Sequence, residues 1–255
     1  VSGIILGIAL LTKFSVFLLL PYFGLLLIVN ALIKKKFWKP AIGCALIVII
    51  AFLAVVWPVY YSINHNYPKQ KQKADTAHIL ASFGNRTMAD TVIYFSDKPG
   101  IRHLAHYGFG LLMVAQRASG GNTAYFLGEV SSKAWKQYFP VVYGLKEPLP
   151  WLILLIISLL YIPFQIRDLK LRLNYFTEKI KNNFVEFSML LWLVIYWYTS
   201  ITSNLNIGVR HLLPIYPFTI MIVSGQITKL GNKLPKKLLV AWNLSLVAIF
   251  GWYLA

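Results

Sequence analysis

The chain has 255 residues, of which 58% are hydrophobic and only 13% charged, and its mean hydropathy is +0.62. A soluble domain carries about 25% charged residues, so this composition excludes a water-soluble globular protein and points to a bilayer. The formal net charge of +17 would suit nucleic acid in a soluble chain, but the Lys and Arg residues fall mostly in short clusters between apolar runs. That is the pattern of cytoplasmic loops facing anionic lipid, and nucleic acid is rejected as a partner.

A hydrocarbon core of about 30 Å needs about 20 apolar residues per crossing helix. Residues 1–11 read as the middle of a membrane helix, and a turn follows at Thr12 and Lys13. The spans expected next are 14–33, 41–63, 149–166, 187–202 and 212–228, with another beginning at 238 and still apolar at the last residue. With no Met at its start, the chain reads as an internal piece of a larger transmembrane domain. The lone Cys44 lies in an apolar run and forms no intrachain disulfide. No fixed-period repeat or low-complexity tract is visible. The fold expected is an all-α polytopic membrane protein: transmembrane helices over 1–63, a long external loop over 64–148 containing an interfacial helix, and transmembrane helices again over 149–255.

Three basic segments, "KKKFWK" (34–39), "RDLKLRLNYFTEKIKNN" (167–183) and "KLGNKLPKK" (229–237), fall on one side when the spans are counted this way, and the positive-inside rule makes that side cytoplasmic. The turn at Thr12 and Lys13, the stretch 64–148 and the turn 203–210 are then external. Within the long stretch, "LAHYGFGLLMVA" (104–115) is apolar but too short to cross, and a crossing there would invert every later loop, so it reads as interfacial or re-entrant. Trp135, Tyr138, Phe139 and Tyr143 cluster ahead of the next span, as aromatic rings do at headgroup level.

External short turns disfavour cations, yet Lys13 and Arg210 stand in two of them, and His211 follows Arg210. Two accounts stand side by side. Both side chains snorkel to the interface as helix anchors, or they form an outer-face anion site, with Arg210 a bidentate donor and Lys13 a mobile point charge. Among the external carboxylates, Asp75, Asp90, Asp97, Glu129 and Glu147, Glu129 is either a substrate-orienting group or a solvated loop carboxylate or helix cap. Glu147 reads as a local ion pair with Lys146. His103 and His106 have i, i+3 spacing that suits a metal, but no further ligand at recognisable spacing joins them. "NRT" (85–87) fits a glycosylation acceptor. Neither a Walker loop nor a dinucleotide glycine motif is present, and no cofactor is evident.

"GIALLTKFSVFLLLP" (7–21), "GGNTAYFLGEVSSKAWKQYFPVVYGLKEPLP" (120–150) and "LNIGVRHLLPIYPF" (205–218) together resemble the bacterial relatives of the protein O-mannosyltransferases and the lipid A aminoarabinose transferases, polytopic glycosyltransferases of the GT-C superfamily. The resemblance implies transfer of a hexosyl or pentosyl group from a polyprenyl-phosphate donor to a glycan, lipid or protein acceptor on the outer face of a bacterial plasma membrane. It implies donor-phosphate binding by Lys13, Arg210 and His211, with Glu129 and Lys146 as candidates for orienting substrate. The family's acidic base lies in a first external loop, upstream of Val1, so this stretch alone is expected to be inactive. The competing classes are a polytopic transporter and a noncatalytic lipid-binding or assembly subunit. A transporter usually carries ionisable residues near the midplane, and the interiors of the five bounded spans contain no Asp, Glu, Lys or Arg.

Overall fold

The computed structural model describes residues 1–166 and 173–254, most of them helical. Among the described residues four helices are long and apolar enough to cross a bilayer, Phe14–Lys34, Trp38–Asn64, Phe184–Thr202 and Lys236–Leu254, and a bent pair over Tyr138–Lys146 and Leu149–Pro163 makes a fifth if it counts as one span. The protein is an all-α polytopic membrane protein. It divides into two compact units, Val1–Gly121 and Asn122–Ala255.

In the first unit, α1 (Ser2–Thr12) ends at an extended Lys13, and a 3-10 turn (Phe14–Leu18) leads into α2 (Leu19–Lys34). The next long helix comprises α3 (Trp38–Ile50), a π-helical segment (Ala51–Val56) and α4 (Trp57–Asn64). Pro58 explains the wide turns, because it lacks the N–H that the Ala54 carbonyl would receive in a regular helix and its ring crowds that carbonyl. Gly3 and Gly7, four apart on α1, let the two helices approach closely. A Cβ at Gly7 would lie 2.5 Å from the Val55 Cβ, and one at Gly3 would lie 2.8 Å from the Ile50 Cβ. Small residues at this spacing are how helices associate where lipid removes the hydrophobic drive. The contact runs parallel, so Lys13 sits toward the α4 end. Leu6, Leu10, Ala51, Val56 and Tyr107 form the core there.

Beyond α4 come α5 (Lys69–Ile79), a 3-10 turn (Leu80–Ser82), α6 (Arg86–Phe95) and α7 (Arg102–Gly120). Leu80, Ala89 and Leu112 are the buried centre of this helical cap. The interfacial helix expected over 104–115 is longer than its apolar run, at 19 residues. Its Tyr107 ring meets those of Phe14, Phe52 and Tyr60.

The second unit opens with a hairpin of β1 (Ala124–Phe126) and β2 (Glu129–Ser131), then α8 (Tyr138–Lys146) and α9 (Leu149–Ile166). α9 has the limits expected of that span. α8 and α9 meet at 120°, because Pro148 pushes the residue before it out of helical geometry, and Glu147 is extended. α10 (Leu173–Asn182), α11 (Phe184–Thr202), α12 (Tyr216–Gly231) and α13 (Lys236–Leu254) complete the unit. The basic segment 167–183 lies partly outside the described residues.

The span expected over 212–228 is not one regular helix. A 3-10 helix covers Val209–Ile215 and runs directly into α12, whose 16 residues add about 24 Å at 1.5 Å per residue. Pro214 and Pro217 each remove an N–H from what would have been one helix. Two donors on α11 satisfy the exposed backbone: Trp192 Nε1 donates to the Pro214 carbonyl at 3.1 Å, and the Tyr196 hydroxyl donates to the His211 carbonyl at 2.8 Å. Irregular backbone at membrane depth survives only with such partners.

Candidate functional site

The turn after α11 carries the candidate cation of the second unit. Gly208 takes φ +88, a left-handed conformation that costs glycine nothing, and turns the chain into the 3-10 helix. Arg210 on that helix is exposed, and among the described residues its side chain has no hydrogen bond or ion pair. His211 points elsewhere. Its ring is half-buried between Phe139 and Tyr196, at centroid distances of 5.4 and 5.7 Å. The aromatic cluster read from the sequence therefore reaches the turn through His211, with Phe139 from α8 fully enclosed.

Asn206, which sequence reasoning passed over, lies in the same turn. Its side chain is only 5% exposed, and neither its amide nitrogen nor its carbonyl oxygen has a hydrogen-bond partner among the described residues. A buried carboxamide left unpaired costs about 1–3 kcal/mol, so such groups are uncommon away from sites. Nothing in "SNLNIG" marks this asparagine out from Asn204, which is exposed.

The loop carboxylates are placed differently from expectation. Glu147 does not pair with Lys146. It accepts a hydrogen bond from the Tyr216 hydroxyl, and Lys146 is exposed at the end of α8. The helix ends between the two residues, so their side chains leave in different directions. Tyr143 beside them accepts from Trp151 Nε1 at 2.9 Å. Glu129 is exposed on β2.

In the first unit, Lys13 is exposed at the break between α1 and the 3-10 turn, and its side chain has no hydrogen bond or ion pair among the described residues. Asp75 accepts from the Tyr67 hydroxyl, which pushes the phenol pKa up. Asp97 pairs with Lys73 at 2.9 Å, and that hydrogen bond holds its carboxyl below the usual carboxylate range. Asp90 pairs with Arg86 at 2.6 Å. Asn85 of the "NRT" triplet caps α6, accepting from the Met88 N–H at 3.2 Å.

His103 and His106 do not act as a metal pair here. The His103 Nδ1 is engaged by the Asn64 side-chain oxygen and its ring abuts Trp57 and Tyr61, while the Nδ1 of His106 is buried without a partner. Burial lowers both imidazole pKa values, and for His103 the charge of neighbouring Arg102 lowers it further. Among the described residues no group of three or more His, Cys, Asp or Glu converges as metal ligands would. A cavity of about 190 Å³ between α5 and α7 is lined by Tyr67, Gln72, Asp75, His78, His106 and Phe109. No Lys or Arg lines it, so it is not built for an anion.

Arg102, also unremarked in the sequence, is the most tightly held cation described. It is 5% exposed and donates to the carbonyls of Tyr67 at 2.7 Å, Asn64 at 3.1 Å and His65 at 2.7 Å. It thereby caps the carbonyl end of α4 and ties the cap to it.

No family model, curated protein or solved structure matches this chain.

Proposed function

We propose that the chain belongs to a membrane glycosyltransferase of the GT-C type, which moves a sugar from a polyprenyl-phosphate donor to an acceptor on the outer face of a bacterial plasma membrane. The class rests on the resemblance of the three stretches quoted above. The observation that carries it onto the structure is the turn 203–211, which holds an exposed Arg210 and, four residues earlier, a buried Asn206, both side chains without a partner among the described residues, immediately before an apolar helix.

A polyprenyl-phosphate donor brings its own leaving group, so the protein must hold the phosphate and neutralise charge as the glycosidic bond breaks. The guanidinium of Arg210 suits both tasks, because its planar fork pairs two phosphate oxygens. His211 supports the turn through its ring and leaves the phosphate to Arg210. Lys13 receives a phosphate role from the resemblance alone. Glu129 and Lys146, both exposed, remain candidates for orienting substrate. The outer-face assignment follows the positive-inside rule, which also places the basic segments 34–39 and 229–237 in the cytoplasm.

The test is transfer by purified full-length protein carrying Arg210→Ala or Arg210→Lys, normalised to folded protein, with donor concentration varied. Loss of a charge-assisted contact worth about 1.5–3 kcal/mol lowers transfer efficiency about 10- to 150-fold in the Ala variant, with partial recovery in the Lys variant. Unchanged normalised kinetics in the Ala variant would leave Arg210 as a helix anchor and refute the phosphate role.

A further inference from the structure

The hairpin of β1 and β2 presents two unlike faces. Phe126 is buried against Trp135 and Tyr138, with ring centroids 5.4 and 5.3 Å away. On the other face, Tyr125 and Val130 are direct cross-strand partners and are 67% and 71% exposed, and Leu127 at the tip is 70% exposed. The connection is Leu127–Gly128, with φ +49 and +95. A tight hairpin turn needs positive φ at both central positions, where Asn, Asp and Gly are favoured and a leucine is strained. An unfavourable backbone conformation that holds an apolar side chain in the open points to a role for that side chain.

We propose that the tip of this hairpin, Tyr125, Leu127 and Val130, is a membrane-surface anchor that inserts into the headgroup and upper acyl region of the bilayer spanned by the apolar helices. This goes beyond glycosyl transfer and does not depend on it. The occupant follows from continuity and charge. The buried face of the hairpin rests on Trp135 and Tyr138, and Tyr138 begins α8. α8 meets apolar α9 at 120°, so it lies closer to the membrane plane than to its normal when α9 crosses. Aromatic rings and a short amphipathic element at that level belong to the interface. Lys133 and Lys136 flank the hairpin, both exposed, against the single carboxylate of Glu129, so anionic headgroups are favoured. A second copy of the chain is a poorer fit, because three side chains offer roughly 400 Å² and a stable partner surface needs about 800 Å².

The experiment places an environment-sensitive nitrobenzoxadiazole label on Leu127→Cys or Val130→Cys in a Cys44→Ser background. The protein is reconstituted in vesicles with or without 30% phosphatidylglycerol, and lipids doxyl-labelled near the headgroup serve as quenchers. The proposal expects blue-shifted emission and quenching at both positions, at least twofold stronger with phosphatidylglycerol. Adding Leu127→Asn to the Val130→Cys protein relieves the backbone and removes the anchor. Quenching at position 130 should then fall at least twofold while the thermal midpoint stays the same or rises. Water-like emission unaffected by doxyl lipid overturns the proposal. So does blue-shifted emission that doxyl lipid does not quench, which would mean that protein covers the tip, and so does quenching at position 130 that survives Leu127→Asn.

Discussion

Replacing Arg102 with Met tests whether one guanidinium ties the cap to α4. The change removes donors to three carbonyls, at 2.7, 3.1 and 2.7 Å. The Asn64 carbonyl keeps the Tyr67 N–H at 3.1 Å, so two backbone carbonyls, of His65 and Tyr67, lose their donor, and the Gln72 side-chain oxygen loses a long contact of 3.5 Å. Each orphaned carbonyl costs about 1–3 kcal/mol, toward the lower end here because both contacts are part-buried. Removing a desolvated cation that faces only carbonyls returns some of that cost. The net loss is about 2–4 kcal/mol, which accelerates local opening roughly 30- to 900-fold at 1.36 kcal/mol per decade. Hydrogen exchange with mass spectrometry on protein in nanodiscs reads this directly in peptides covering Lys69–Ile79 and Arg86–Phe95. Arg102→Lys should recover part of the protection, because an ammonium reaches one or two of the carbonyls. Acceleration below about fivefold in the Met variant, or an equal effect in Trp38–Ile50, would refute the reasoning.

Four further outcomes follow from the same physics. His103 and His106 have folded pKa values below the unfolded value of about 6.5. The unfolded state therefore binds more protons in that window, and protection of Arg102–Gly120 is intact above pH 6.5 and falls as the pH drops through the lowered values. Exchange corrected for its intrinsic rate checks this, and His106→Asn should flatten the profile. Gly7→Ala puts a Cβ 2.9 Å from the Ala51 carbonyl oxygen, on backbone that cannot yield cheaply, and should cost about 1–3 kcal/mol in detergent thermal unfolding. Gly43→Ala, whose Cβ meets nothing within 4 Å, should be neutral or up to about 1 kcal/mol stabilising. Tyr196→Phe removes the donor to the His211 carbonyl and should speed exchange across Val209–Ile215 about 2- to 13-fold, for about 0.5–1.5 kcal/mol; unchanged exchange would mean the turn is held by other contacts.

How much of this was legible in the chain depends on whether the cause was local. Apolar runs and their basic borders delimit α2, α9 and α11 to within a few residues, because bilayer thickness acts on composition directly. The change of helix type within 212–228 is not legible because hydrophobicity says nothing about hydrogen bonding, and Pro214 and Pro217 break the ladder inside a run that stays apolar. α5 was invisible, since "KQKQKADTAHI" has no apolar stripe and its buried face is Gln72 and Thr76. At the site, Arg210 stood out by position, but the role of Glu147 did not. Its neighbour Lys146 was the obvious partner, while the actual one, Tyr216, is 69 residues away. Arg102 looked like any loop cation because carbonyls leave no trace in a sequence.

The π-helical segment has a mechanical consequence. Trp57 donates its N–H five residues back to Phe52 rather than four, so the helix gains part of a turn without gaining length in proportion, and every later side chain is out of phase with the earlier ones. One residue is worth about 100° of rotation. Ile47 and Ile50 ahead of the slip, with Ala51 and Val55 within it, form the groove for α1, and Tyr60, Tyr61 and Asn64 meet α7 after it. The bulge thus sets the angle between two neighbours that grip the same rod. Deleting a single residue from Ala51–Val56 would straighten the ladder and swing the α7-facing rings by about that angle, uncoupling the cap from the bundle while leaving every other contact residue in the chain.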